Sequence, residues 1–185
     1  MQKVKVWDIP VRLCHWGLAA CVLANLAFTE EGDDIHQYVG YIAAGIVVFR
    51  VLWGFVGSRY ARFSDFFPTP QRLITHGQRL LRRQPDPHLG HNPLGAMMML
   101  VLWSVVIGLG VSGYLMGTEQ FWGDETMEEI HEVLANSLIP LIALHVASAL
   151  AMSFISKSNL VAAMVTGHKN VPDEVNTTSE TLSKD

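Results

Sequence analysis

The chain has 185 residues, of which 50% are apolar and 16% are charged, and its formal net charge is −4. A soluble domain usually carries about 25% charged residues, so this composition disfavours an ordinary soluble protein. The length suits one compact domain, and since no basic patch with interleaved aromatic side chains occurs, nucleic acid is not an expected partner.

Four apolar blocks, taken in chain order, predict four transmembrane helices. Each block holds roughly the 20 apolar residues needed to cross a hydrocarbon core of about 30 Å. Backbone polar groups in lipid must be satisfied within the segment, which favours helices, and the period-2 alternation of a membrane barrel is absent. The predicted spans are 11–28, 36–57, 93–116 and 131–155. We therefore expect an all-α membrane protein, with a four-helix bundle in a domain at 1–169 and a flexible tail at 170–185.

The first block is interpreted as a retained helix and not as a signal peptide, because His15 and Trp16 are unusual in such a segment. Its two cysteines, Cys14 and Cys21, lie about two helical turns apart, too far for a disulfide. Covalent attachment of a c-type haem needs C-x-x-C-H, and residues 11–15 lack the first cysteine of that motif.

The loops differ in charge on alternate sides of the predicted spans. Loops 29–35 and 117–130 contain several acidic residues and no lysine or arginine. Basic residues instead occupy the N-terminus and the long central loop, at Lys3, Lys5, Arg12, Arg59, Arg62, Arg72, Arg79, Arg82 and Arg83. The positive-inside rule therefore places both termini and the long central loop in the cytoplasm.

Within the central loop, segment 71–83 mixes leucines and an isoleucine with four arginines. This pattern is typical of a short amphipathic helix that lies along the membrane surface. Gly77 interrupts the pattern, so a solvated loop is the alternative, and the sequence leaves both open.

The histidines fall into two groups. Four of them, His76, His88, His91 and His168, lie outside the predicted spans and are expected to be solvated loop residues. The other four lie inside the spans or at their ends, at His15, His36, His131 and His145. An ionisable side chain within a membrane span is costly to bury and usually has a function, so the second group carries the functional hypothesis.

The spacing of the span histidines predicts two ligand pairs. His131 and His145 are 14 residues apart, which is about 40° short of four full turns and roughly 21 Å along the helix axis. With the predicted topology, His36 lies at the depth of His131 near the outer face. His15 lies at the depth of His145 near the cytoplasmic face. Two imidazoles on one haem iron leave no open position, which favours electron transfer over oxygen chemistry.

Two further residues of the second span fit a bound macrocycle. Gly40 lies one turn beyond His36 and supplies a small residue beside a flat group, although close helix packing also favours glycine. Arg50 lies 14 residues after His36, at a depth where no span carries a carboxylate. A buried guanidinium needs an anionic partner, which a propionate of the inner haem would supply; snorkelling to the cytoplasmic surface is the alternative.

Four stretches resemble a known family. They are VWDIPVRLCHWGL, HQYVGYIAAGIVVFRVLWGFVGSRYARFSDF, GHNPLGAMMMLVL and IHEVLANSLIPLIALHVASAL. Together they resemble the bacterial cytochrome b561 family, which includes the cytochrome b subunits of membrane-bound Ni,Fe hydrogenases, over roughly residues 4–169. The resemblance implies two non-covalent haems b on the four histidines named above and exchange of electrons with the quinone pool. Many relatives carry a further histidine after the fourth helix, where this chain has SFISKSNL.

The favoured function is electron transfer between the quinone pool and a periplasmic redox partner such as a cytochrome c. Membrane lipid is expected around the spans, and the sequence leaves the oligomeric state open. The long cytoplasmic insertion of some hydrogenase subunits is absent, which favours such a partner. The alternatives are a subunit that anchors a hydrogenase-like or other oxidoreductase, and a superoxide:quinone oxidoreductase. Two alternatives belong to other classes of protein: a histidine-lined metal transporter and a pure membrane anchor.

The charge asymmetry yields a testable topology. A reporter fused after Lys169 should be active only if it is of a type that works in the cytoplasm, because the basic loops hold that end of the chain inside. Paired fusions of a cytoplasmic and a periplasmic reporter at this site measure the orientation. Activity of the periplasmic type alone would reverse it.

Overall fold

The computed structural model describes residues 2–30, 32–82 and 88–171. In chain order the elements are β1 (Gln2–Lys5), α1 (Ile9–Ala27), α2 (Asp34–Val56), a 3₁₀ turn (Arg59–Ala61), α3 (Phe63–Phe66), α4 (Pro70–Leu81), α5 (Pro93–Met116), α6 (Glu125–Ile155), α7 (Leu160–Thr166) and β2 (His168–Val171). The chain divides into two compact units. One comprises the described parts of 1–12, 54–98 and 145–185, and the other comprises those of 13–53 and 99–144.

Four of the helices, α1, α2, α5 and α6, are long and apolar enough to cross a membrane. This confirms the four predicted spans. Large apolar side chains along them are exposed on the protein surface, such as Leu13 at 68% and Val133 at 61%. Contiguous apolar surface of this kind suits contact with lipid and not with water. The chain is a multi-pass membrane protein.

Polar caps determine where these helices begin. The carboxylate of Asp8 accepts from the Val11 backbone N–H at 2.8 Å at the start of α1, and Asp124 accepts from the Met127 N–H at 3.0 Å at the start of α6. A side-chain acceptor at this position satisfies an N–H group that has no partner within the helix. Because Asp124 caps α6, this helix begins at Glu125 and not at the predicted residue 131.

A small antiparallel sheet accompanies the mostly helical fold that the sequence predicts. Strand β1 pairs with β2 in the register Gln2↔Val171 to Lys5↔His168 within one unit. Beyond the strand, the Val6 and Trp7 N–H groups both donate to the Gly167 carbonyl, at 2.9 and 3.1 Å. Strand β2 extends two residues past the predicted domain end at 169. The remainder of the predicted tail lies outside the described residues.

Helix α4 resolves the alternative left open for segment 71–83. Thr69 accepts from the Arg72 N–H and Pro70 occupies the first turn, two features that favour a helix start. His76 points inward at 2% exposure, while Ile74 and Leu81 are exposed at 57% and 87%. Residues Pro70–Leu81 therefore form an amphipathic helix, and its position on a membrane surface stays a prediction.

In the other unit the helices approach closely at small residues. A Cβ atom added to Gly110 of α5 would lie 2.9 Å from the Ala44 Cβ atom of α2, and one added to Gly108 would lie 3.0 Å from the Leu134 side chain of α6. The Asn25 amide of α1 donates to the His36 carbonyl of α2 at 3.1 Å. Small residues allow such backbone approach, and interhelical hydrogen bonds fix the register of the helices.

Gly167 gives a stability test of the first unit. This residue has φ +83°, and a Cβ atom there would lie 2.8 Å from the Trp7 carbonyl oxygen. Gly167→Ala should lower the thermal unfolding midpoint in detergent, since the left-handed conformation alone costs about 1–2 kcal/mol and the contact adds to it. Gly32→Ala is the control, with φ +79° and open space around the added atom. Equal losses in the two variants, measured by circular dichroism, would show that the Trp7 contact contributes nothing.

Candidate functional site

His36 and His131 come together within one unit. Their ring centroids are 6.3 Å apart and their planes are inclined by 60°. His36 lies in the first turn of α2, and His131 lies almost two turns inside α6, because α6 starts early. Both side chains are half-buried. The structure thus brings together the two histidines that the sequence predicts as the outer pair.

A hydroxyl group contacts the Nδ1 atom of each ring. Thr29 Oγ1 is 3.1 Å from His36 Nδ1, and Ser112 Oγ is 2.8 Å from His131 Nδ1. Ser112 is buried at 4% exposure on α5. Neither hydroxyl was predicted from the sequence. A serine inside an otherwise apolar span was the available signal, because a polar side chain in a span usually has a partner there.

A cavity of about 490 Å³ adjoins the histidine pair. Its lining is mostly apolar and includes His36, His131, Gly40, Gly113 and Leu138. Ligand sites commonly have volumes of about 300–1,000 Å³, apolar walls and a few placed polar groups, which describes this cavity. A Cβ atom on Gly113 would lie 3.4 Å from His131 Cε1. The lack of a side chain at Gly113 therefore leaves space beside the imidazole.

The pair fits a shared metal ion between two imidazoles. Two such rings on opposite sides of one metal, each bonded at about 2.0–2.1 Å, have centres roughly 6 Å apart, and the observed separation is 6.3 Å. Ligand histidines also commonly use their second nitrogen for a hydrogen bond that orients the ring. The hydroxyl contacts at Nδ1 of His36 and His131 match that arrangement.

The other predicted site residues are divided between the two units. His15 and His145 are both half-buried, but they belong to different units, and their pairing stays a prediction. Gly40 packs beside the histidine pair, where an added Cβ atom would lie 3.6 Å from the Asn25 amide nitrogen. Glycine at this position therefore serves helix packing as well as the cavity.

Arg50 is buried at 4% exposure, so its guanidinium does not snorkel into solvent. The group lies over the ring of Trp103, 5.3 Å from the ring centre, in a cation–π contact. Such contacts contribute about 2 kcal/mol when they are desolvated, which helps to hold the charge inside the unit. The predicted pairing with a haem propionate stays a prediction.

The histidines outside the spans differ from expectation. His76 is buried within α4 and contacts the ring of His88 at 5.7 Å, so its assignment to a solvated loop is wrong. His91 packs against Trp7 at 4.5 Å and Phe66 at 5.1 Å, and it too is not a solvated residue. Aromatic packing in this unit explains both. His168 is exposed, but it lies in β2 and not in a loop.

Among the residues that the structure describes, no group of three or more His, Cys, Asp or Glu side chains is arranged to hold a metal ion. The histidine pair in an apolar cavity instead suits a metal that brings its own equatorial ligands, as a haem does.

Four helices long and apolar enough to cross a membrane, with a histidine pair beside an apolar cavity, fit a membrane cytochrome. The chain belongs to the prokaryotic cytochrome b561 family, whose family model matches residues 6–167. This membership confirms the resemblance seen in the sequence. The protein is accordingly a membrane cytochrome b that binds haem b and takes part in electron transport.

Several curated proteins are similar along most of their length. A Bradyrhizobium diazoefficiens protein, named "Probable Ni/Fe-hydrogenase B-type cytochrome subunit", is 24% identical over 92% of this chain and 87% of its own. An Azotobacter vinelandii protein of the same name is 26% identical over 92% and 90%. An Escherichia coli K12 protein, named "Probable Ni/Fe-hydrogenase 1 B-type cytochrome subunit", is 23% identical over 89% and 90%. No solved structure matches the chain.

Proposed function

We propose that this protein carries electrons across the bacterial inner membrane on two haems b, each ligated by two histidines. His36 and His131 hold one haem near the outer face, and His15 and His145 hold the other near the cytoplasmic face. Both termini lie in the cytoplasm, as the basic residues of the N-terminus and the central loop favour. The electrons pass between the quinone pool and a periplasmic redox protein such as a cytochrome c.

The proximity of His36 and His131 is the observation that carries the proposal. Their ring centroids are 6.3 Å apart beside a cavity of about 490 Å³. Two imidazole ligands leave no position on iron open to oxygen, and the bound haem supplies one-electron redox chemistry. The chain supplies the ligands, the hydroxyls that orient them and an apolar lining, including Val106 and Leu109, that keeps water away.

The inner site rests on the sequence. His145 follows His131 by 14 residues on one helix, so the two side chains point to nearly the same side. His15 is the histidine of the first span. The Arg50 guanidinium, buried against Trp103, supplies positive charge for an anionic group at this level. A haem propionate is such a group, and pairing with it would offset the cost of burying the guanidinium.

The names of the relatives favour a second candidate function, in which the protein is the cytochrome b subunit of a larger oxidoreductase such as a hydrogenase. The alignment with the Bradyrhizobium protein covers 215 positions, more than the 185 residues of this chain. The relatives therefore contain segments that this chain lacks. If those segments contact a hydrogenase, their loss favours a different partner, and the periplasmic cytochrome stays the first candidate.

Removal of one ligand tests the outer site. His131→Ala should lower the haem content from two to one per chain, because the outer haem loses one of its two axial ligands while the inner pair is unchanged. Haem per chain and the low-spin signals in electron paramagnetic resonance measure this. His168→Ala, which removes an exposed histidine outside the spans, is the matched control and should keep both haems. Two intact low-spin haems in His131→Ala would refute the pairing.

The acidic outer loops predict that electron transfer to the redox partner depends on the salt concentration. Glu128 and Glu129 are exposed at the start of α6, and Glu128 also lines the cavity. Opposite charges speed the encounter of redox partners, and salt screens exposed charges over about 8–10 Å. Replacing both with glutamine should slow electron transfer to a basic cytochrome c by about tenfold or more at low salt.

Stopped-flow mixing of the reduced protein with the cytochrome, at several ionic strengths, measures this rate. The matched control removes the same charge from the predicted cytoplasmic tail by Asp173→Asn and Glu174→Gln. A rate that is indifferent to salt and equal in the two double variants would eliminate the acidic loops as the docking surface.

A further inference from the structure

The position of one proton follows from the contacts of Ser112. Its Oγ atom is 2.8 Å from the Gly108 carbonyl oxygen and 2.8 Å from His131 Nδ1. Two oxygen atoms at that distance need a proton between them, and a carbonyl oxygen has none to donate. The serine therefore donates to Gly108. Its oxygen is left as the acceptor for His131, so the imidazole carries its proton on Nδ1.

Thr29 repeats this arrangement at the other ring. Its Oγ1 atom is 3.2 Å from the Asn25 carbonyl oxygen and 3.1 Å from His36 Nδ1. The Asn25 amide nitrogen donates to the His36 carbonyl at 3.1 Å, which turns the amide oxygen of Asn25 toward the threonine. The threonine thus faces two acceptors on Asn25. Its hydroxyl donates to that residue and accepts from the imidazole.

We propose that Ser112 and Thr29 are positioning residues that hold His131 and His36 in the Nδ1-protonated tautomer, with Nε2 as the iron ligand. This inference rests on the proposed function, since it assumes that both imidazoles bind one haem. An accepted hydrogen bond from Nδ1–H fixes the ring orientation and makes the imidazole a stronger electron donor. A stronger donor favours the ferric over the ferrous state, so both hydroxyls lower the potential of the outer haem.

Ser112→Ala tests the role of the hydroxyl. The haem affinity of the outer site should fall by about 10- to 100-fold, as is typical when a partner of a metal ligand is removed. The midpoint potential of the outer haem should rise, and that of the other haem should not change. Ser104→Ala is the matched control on the same helix, because Ser104 donates to the Leu100 carbonyl at 2.9 Å but is exposed. A purely structural role would lower the melting temperature and leave the potential unchanged.

Thr29 keeps the inference testable if Ser112→Ala does not fold. Thr29→Ala should raise the potential of the outer haem, and Thr29→Ser, which retains a hydroxyl, should restore it. Unchanged potentials and affinities in the alanine variants, with His131→Ala still losing a haem, would overturn the positioning role alone. Retention of both low-spin haems in His131→Ala would instead overturn the proposed function.

Discussion

An imidazole placed between apolar helices must find partners for both ring nitrogens inside the protein, because lipid offers neither a donor nor an acceptor. His36 and His131 meet half of this requirement through the hydroxyls of Thr29 and Ser112, at 3.1 and 2.8 Å from Nδ1. Under the proposed function iron meets the other half at Nε2. Under the same proposal, the placement of the helices around this pair brings the two rings to one metal.

Helix α5 contributes to that placement through its glycines. Gly110 allows approach to α2, Gly108 allows approach to α6, and Gly113 faces the ring of His131. The same helix carries Ser112, so one short stretch sets both the packing distance and the hydrogen bond. A larger side chain at these positions would separate the helices or fill the cavity, since helix interfaces in membranes depend on small residues.

Much of the architecture was predictable because hydropathy and length report directly on membrane spans. The four spans follow from the apolar blocks, and the predicted topology places His36 at the depth of His131, where the two rings are close. The early start of α6 was not predicted, because Asp124 and the acidic first turn resemble a loop when apolar residues alone define the helix. The β1–β2 sheet and the burial of His76 were also not predicted. Both depend on contacts between segments far apart in sequence, which no local pattern records.

The central claim is that the span histidines hold the haems in pairs. Of the two proposed sites, the one at His36 and His131 is the better defined. The haem content and spin state of the purified protein test it most directly. A pyridine haemochrome assay combined with electron paramagnetic resonance should give two b-type haems per chain, both low-spin and six-coordinate. One haem per chain, a high-spin signal from a five-coordinate iron, or an absorption band of the c type would contradict the account.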